Sequence, residues 1–221
     1  MANEPVFPLL SCARLRMGID GTGVTTLIAG AGCPLKCRWC INEQLLWEAP
    51  VTHVTAEQLY DKVKIDDLYF QATGGGVTFG GGESLLHASF ISRFKNLIPE
   101  TWKVNAETSL AVSSELINTV IGSVDLFIVD CKDMDDEIYH RYTGGDAELM
   151  KSNLRLLLDA VGPEQIIVRV PLIPEYNTEA DQQRNVQLLH QMGVTRLELF
   201  DYVRKNYSSA SRSPKQVLCC L

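Results

Sequence analysis

Cys33-Pro-Leu-Lys-Cys37-Arg-Trp-Cys40 follows a short apolar run at 25–29 and a glycine-rich turn, and it sets three cysteines in a Cys-x3-Cys-x2-Cys spacing. No fourth ligand stands beside them. A cubane iron–sulfur cluster is normally held by four thiolates, so three leave one iron open to bind something else. A structural zinc site needs four ligands, usually as two separated pairs, and the nearest histidine, His53, has no partner at ligand spacing. A bacterial ferredoxin run has a different order and a fourth cysteine. Seven cysteines, an odd number with no secretory signal, argue against a disulfide framework. The triad therefore reads first as a cluster loop with an open iron, with zinc as the remaining alternative.

Outward from that loop, the 221 residues are 46% hydrophobic and 21% charged, the composition of an ordinary globular protein, and the formal net charge is −7. That charge argues against a nucleic-acid binder, which needs clustered Lys and Arg to neutralise phosphates. The longest apolar stretch, 24–32, is too short to span a bilayer. The N-terminus lacks a positively charged n-region, and Pro8 interrupts its apolar run, so no targeting peptide is expected. These features predict one domain over 1–221 in the reducing cytoplasm, with a short extension at 1–19 and a flexible tail from about 205 to 221. Nothing demands more than a monomer.

Strand-length apolar runs alternate with segments of helical period, the pattern of a parallel sheet with crossover helices. Strands are predicted at 25–29, 76–79, 103–107, 126–130, 166–170 and 196–200, and helices at 56–69, 84–97, 113–121, 147–159 and 178–192. Thr55 and Thr178 stand where N-caps are needed, and Gly162 and Gly193 stand where helices must stop. The chemically interesting residues fall just after successive strands: the cysteines, then Gly80-Gly81-Gly82-Glu83, then Glu107-Thr108, then Asp130 and Lys132. In α/β barrels that end of the strands is where sites are built. Arg169, inside an apolar strand, either reaches the site or pairs structurally. His140 reads as a packing or capping residue.

The triad with Trp39 just before its last cysteine, and Gly-Gly-Glu after the next strand, resembles the radical S-adenosylmethionine (SAM) superfamily. Within it the chain resembles activating enzymes of glycyl radical enzymes, such as that of pyruvate formate-lyase. Asp20-Gly-Thr-Gly23, Gly76-Val-Thr-Phe-Gly-Gly-Gly-Glu83, His140-Arg-Tyr-Thr-Gly144 and Pro171-Leu-Ile-Pro-Glu-Tyr-Asn177 carry that resemblance along nearly the whole chain. It implies an α/β fold, a partial TIM barrel of (β/α)6 type with the cluster loop after the first strand. It implies that Cys33, Cys37 and Cys40 ligate a [4Fe-4S] cluster whose open iron chelates SAM, with Trp39 against the adenine. Gly81, Gly82 and Glu83 would receive the SAM amino group. Glu107, Thr108 and Asp130 would bind its ribose or carboxylate region, in some members through a monovalent cation, and Lys132 would stand near the carboxylate.

The reaction so implied starts with one electron from a reduced flavodoxin or ferredoxin, yields a 5′-deoxyadenosyl radical, and ends with a glycyl radical on a partner enzyme. The chain departs from the family at several positions. Ile41 stands where a histidine is usual, Ser84 where a proline, Glu175 where a glycine, and Phe200-Asp-Tyr-Val203 where Leu-Pro-Tyr-His. Two other readings stay open: a radical SAM enzyme acting on a small molecule or peptide, and a non-catalytic iron–sulfur protein.

Overall fold

A computed structural model describes residues 4–202. One eight-stranded sheet runs in the order β3-β1-β2-β4-β5-β6-β7-β8, and β3 and β8 are its two open edges. The strands β2 (Val24–Gly30), β4 (Gly76–Gly81), β5 (Lys103–Thr108), β6 (Leu126–Asp130), β7 (Ile166–Leu172) and β8 (Leu197–Asp201) are all parallel, each beside its successor. These are the six predicted strands, their ends displaced by one or two residues. β2 is buried at every position, as expected of a strand covered on both faces. The expected partial-barrel architecture is present: the sheet curves without closing.

The segment 1–19, predicted as an extension, instead carries β1 (Phe7–Met17), an 11-residue strand antiparallel to β2, and a three-residue β3 (Thr52–Val54) pairs antiparallel with β1. The cluster loop therefore follows the second strand of the chain, which is the first of the parallel set. β1 is part of the core. Phe7 is fully buried against Phe79 and Phe90, with ring centroids at 5.5 and 5.1 Å. Because no helix follows it, β1 stands outside the strand–helix rhythm that revealed the others.

The helices are α1 (Glu43–Glu48), α2 (Ala56–Val63), α3 (Asp67–Thr73), α4 (Ala88–Leu97), α5 (Ser114–Val120), α6 (Asp136–Thr143), α7 (Ala147–Val161) and α8 (Glu179–Gln191). Thr55 and Thr178 form the predicted caps, each in a capping box with Gln58 and Asp181. The single helix predicted at 56–69 is broken by a 3-10 turn at Lys64–Asp66. The break has a tertiary cause: Asp66 is fully buried and accepts Arg14 Nε at 3.0 Å and Thr26 Oγ1 at 2.8 Å. The helix predicted at 84–97 likewise opens as a 3-10 turn at Ser84–His87. Short α1 and α6 were not predicted. Among the described residues no helix is long and apolar enough to cross a membrane. The predicted tail, with Cys219 and Cys220, lies outside the described residues.

Candidate functional site

The C-terminal ends of the parallel strands surround a cavity of about 720 Å³, within the size range of small-molecule and cofactor sites. Its wall includes Cys33, Cys37 and Cys40, Gly81 to Glu83, Glu107, Thr108, Asp130 and Lys132. Every predicted site residue except Trp39 is thus on one cavity. Trp39 is edge-on to Tyr176, ring centroids 6.4 Å apart, and is not part of the wall.

The cysteine loop is fixed by its backbone. Lys36 N donates to Thr143 O at 2.8 Å and Arg38 N to Tyr142 O at 3.0 Å, so the C-terminal turn of α6 brackets Cys37. Asn42 Nδ2, two residues past the last cysteine, donates to Gly81 O at 2.8 Å. All three thiols are half-buried and outside any disulfide. Burial pushes all three up, Cys33 to about 11, while Lys132 works to lower Cys37 and Cys40. Bare thiolates are unfavourable in such a place, and soft iron–sulfur ligation is the chemistry that removes the proton outright. Among the described residues no three His, Cys, Asp or Glu side chains are placed to hold a metal ion. A set of three separate thiolates on one loop fits a multi-iron cluster, in which each serves a different iron.

The glycine segment lies directly under this loop. Gly82 N donates to Gly30 O at 3.1 Å and Glu83 N to Gly32 O at 2.9 Å. A Cβ on Gly82 would run into the Gly32 carbonyl oxygen, and one on Gly80 would come within 2.5 Å of Glu107 Oε2. Glycine is required at 82 because another backbone occupies the side-chain space, and at 80 because the Glu107 side chain does. The Glu83 carboxylate, 2% exposed, accepts from Leu85 N, Thr108 Oγ1, Ser109 N and Ser109 Oγ at 2.6 to 3.1 Å. It welds the end of β5 to the glycine turn. Burial raises its pKa, opposed by those donors.

Opposite stands a charged wall. Lys132 Nζ donates to Asp130 Oδ2 at 2.8 Å, and Arg169 donates to Glu107 Oε1 at 2.8 Å, Glu198 Oε2 at 3.2 Å and the Ile19 carbonyl. Burial pushes the Glu107 carboxyl up to about 7, with Arg169 opposing and Asp20 and Asp130 adding to the rise. Burial would also raise Asp130, but Lys132 and Arg169 hold it below the usual carboxylate value. Burial would lower the Lys132 ammonium, and Asp130 and Cys37 keep it raised. Among the described residues of the wall, Asp20, Glu83, Glu107, Asp130 and Glu198 outnumber Lys132 and Arg169. Such a cavity suits a ligand with cationic groups that also carries a carboxylate for a lysine.

Arg169 both reaches the site and pairs structurally. His140 Nδ1 lies 3.0 Å from Gly145 O at the end of α6, a local role as expected. Sequence reasoning missed Ser109, which has no pattern around it, and the hairpin segment Gly18 to Asp20, which enters the wall because β1 exists.

A family model described as the radical SAM superfamily matches residues 27–183. The (2S)-3-sulfopropanediol dehydratase activating enzyme of Klebsiella oxytoca is 30% identical, the match covering 84% of this chain and 78% of that one. The pyruvate formate-lyase-activating enzyme of Clostridium pasteurianum is 29% identical, covering 83% and 77%. Among solved structures, Streptococcus suis SuiB bound to S-adenosylmethionine superposes with a TM-score of 0.62 at 12% identity, over 79% of this chain and 39% of that one. Native anSMEcpe with bound AdoMet gives 0.62 at 14% identity, over 84% and 53%. The chain spans less than two thirds of each of these two structures, and they establish likeness of fold alone.

Proposed function

The chain belongs to the radical SAM superfamily, and from that premise we propose that it installs a glycyl radical on a partner enzyme, as the names of its activating-enzyme relatives suggest. When bound, a [4Fe-4S] cluster supplies the electron that cleaves SAM and so creates the hydrogen-abstracting radical. Cys33, Cys37 and Cys40 would hold that cluster. Gly81, Gly82 and Glu83 would take the SAM amino group, Glu107, Thr108 and Asp130 the ribose or carboxylate region, Lys132 the carboxylate, and Trp39 the adenine. A monovalent cation at Glu107, Thr108 and Asp130 would share oxygens with Arg169 and Lys132. The residues' own work is to orient the ligand and to exclude water from the wall.

One observation carries the reading. The cysteine loop and the Gly-Gly-Glu turn, contributed by separate strands, are hydrogen-bonded together on a single cavity. A flavodoxin or ferredoxin would supply the electron, in a compartment reducing enough to keep the thiols free. The activase would be a monomer built as one unit.

The test is anaerobic reconstitution with iron and sulfide, then SAM and a chemical reductant. Expected are a cluster signal dependent on Cys33, Cys37 and Cys40, formation of 5′-deoxyadenosine, and a glycyl radical by electron paramagnetic resonance (EPR) when a glycyl radical enzyme from a neighbouring gene is added. Glu83→Ala is expected to weaken SAM binding at least tenfold. 5′-Deoxyadenosine without any glycyl radical would move the assignment to a small-molecule or peptide substrate. A cluster with no SAM turnover would leave a non-catalytic iron–sulfur protein.

A further inference from the structure

Tyr139 on α6 is fully buried, and its hydroxyl has no hydrogen-bond partner among the described residues. A stranded buried hydroxyl costs about 1–3 kcal/mol, and native folds rarely carry one without a reason. This one lies behind the cavity wall rather than on it, on the helix that brackets the cysteine loop. Tyr142 O and Thr143 O, one turn further along α6, hold the amides on either side of Cys37, and Thr143 Oγ1 donates back to Tyr139 O at 2.8 Å. A Cβ placed on Gly145 would meet both Leu35 Cδ2 at 2.5 Å and Tyr139 Cε1 at 3.3 Å, so the ring flanks the residue that precedes Lys36 and Cys37. Cys33 and Cys37 pack against the buried cluster that contains Tyr139. Burial raises the phenol's pKa, and the Cys37 and Cys131 thiols add to the rise. A phenol is protonated at neutral pH in any case and so presents an O–H donor.

We propose that Tyr139 is a positioning residue for the cluster: from behind the wall its O–H finds its missing acceptor in the Cys37 sulfur once that cysteine is bound as a thiolate, and so raises the cluster's reduction potential. The inference rests on the function proposed above. Hydrogen bonds to cluster sulfur stabilise the more negative, reduced state, and outer donors of this kind tune metal centres generally. The cysteine spacing alone leaves that donor invisible, since Tyr139 lies about a hundred positions away in the chain.

The experiment compares wild type, Tyr139→Phe and a chain carrying 3-fluorotyrosine at 139, each reconstituted and titrated by EPR-monitored reduction. Tyr139→Phe is expected to lower the reduced-to-oxidised ratio at a fixed applied potential about tenfold, which is 59 mV for a one-electron couple. The fluorinated phenol, a stronger donor of nearly the same shape, is expected to shift the ratio the other way. In the cluster-free state Tyr139→Phe is expected to melt no lower than wild type, because the hydroxyl it removes has no partner there. Clusters that form with unchanged potential in both variants overturn this inference alone. A clear loss of stability in cluster-free Tyr139→Phe overturns it too, by revealing an existing partner. A wild-type chain that takes up no cluster overturns the proposed function with it.

Discussion

The wall built from β2, β4 and Thr108–Ser109 and the wall built from Glu107 with β6, β7 and β8 line one cavity but are held by different forces. The first is fixed by close backbone approach: Gly82 and Glu83 amides bond the Gly30 and Gly32 carbonyls, and four donors converge on a buried Glu83. The second is fixed by charge, through Lys132–Asp130, Arg169–Glu107 and Arg169–Glu198, and its outermost strand, β8, is exposed at four of its five positions. Close-packed backbone tolerates almost no displacement. Partly exposed ion pairs contribute about 0–1 kcal/mol each and respond to salt and pH. The cluster side is therefore shaped by folding alone, while the opposite side can adjust to its occupant.

The sharpest way to break that contrast is Gly82→Ala. Its new Cβ meets the Gly32 carbonyl oxygen, which belongs to the stem of the cysteine loop and cannot swing aside as a side chain could. Unfolding by urea is expected to show a loss of about 3 kcal/mol, at the upper end of overpacking effects, together with poor iron uptake on reconstitution. A variant with wild-type midpoint and iron content would mean that the first wall yields after all. Next in size is Glu83→Gln. The amide turns an NH2 group toward donors that now converge on oxygen, and the expected loss is about 1–2 kcal/mol. Thermal melting of the cluster-free protein measures it, and a gain in stability would show that relief from burying a carboxylate outweighs the lost bonds.

The two walls were also unequally legible in the sequence. The parallel strands announce themselves as short runs of Val, Ile, Leu and Phe, mostly buried in all but β8. The glycines and cysteines announce themselves because their chemistry or close approach admits few substitutes. β1 was hidden by its own pattern, since Phe7, Leu9 and Ala13 are buried but Pro8, Arg14 and Arg16 interrupt a run that is antiparallel and has no helix after it. The break at Asp66 could not be read locally, because Arg14 and Thr26, which draw that carboxylate inward, are far away in the chain. Ser109 belongs to the same class: its role arises when β5 ends against Glu83. In the second wall, Arg169 was visible as a cation in an apolar strand, but its partners Glu107, Glu198 and the Ile19 carbonyl come from three separate segments.

A pH series tests the charged wall directly. The Glu107 carboxyl is raised from 4.5 to about 7 in the fold, so between those values the folded chain binds a proton that the unfolded chain has released. Stability falls as pH rises wherever the folded state holds more protons. The cluster-free protein is thus expected to lose stability on going from pH 5 to pH 7, while below about 4.5, where both states are protonated, this group's share is fully present and no longer changes with pH. Glu107→Gln is expected to flatten that slope in urea titrations at pH 5, 6 and 7. An unchanged slope would place the pH dependence elsewhere and leave the second wall no more responsive than the first.

The smallest effect is expected at Glu175, in the loop that joins β7 to α8 behind the charged wall. Its φ is +71°, a left-handed conformation that favours glycine. Asn177 braces the turn from within, accepting from Ile173 N at 2.6 Å and donating to Asp133 Oδ2 and Pro171 O at 3.0 and 3.2 Å. Glu175→Gly would relieve about 1 kcal/mol of backbone strain but add nearly as much conformational entropy to the unfolded chain, roughly 0.5–1 kcal/mol. Those two backbone effects nearly cancel, so the change left in Glu175→Gly reads the exposed glutamate side chain's own interactions, at most about 1 kcal/mol, whereas Asn177→Ala, which takes the partner from the Ile173 amide and one of the donors from Asp133, is expected to lose about 2 kcal/mol. Paired urea titrations of the two variants decide the point. A large change at Glu175 with little at Asn177 would mean that the glutamate side chain, not the buried amide, sets the loop.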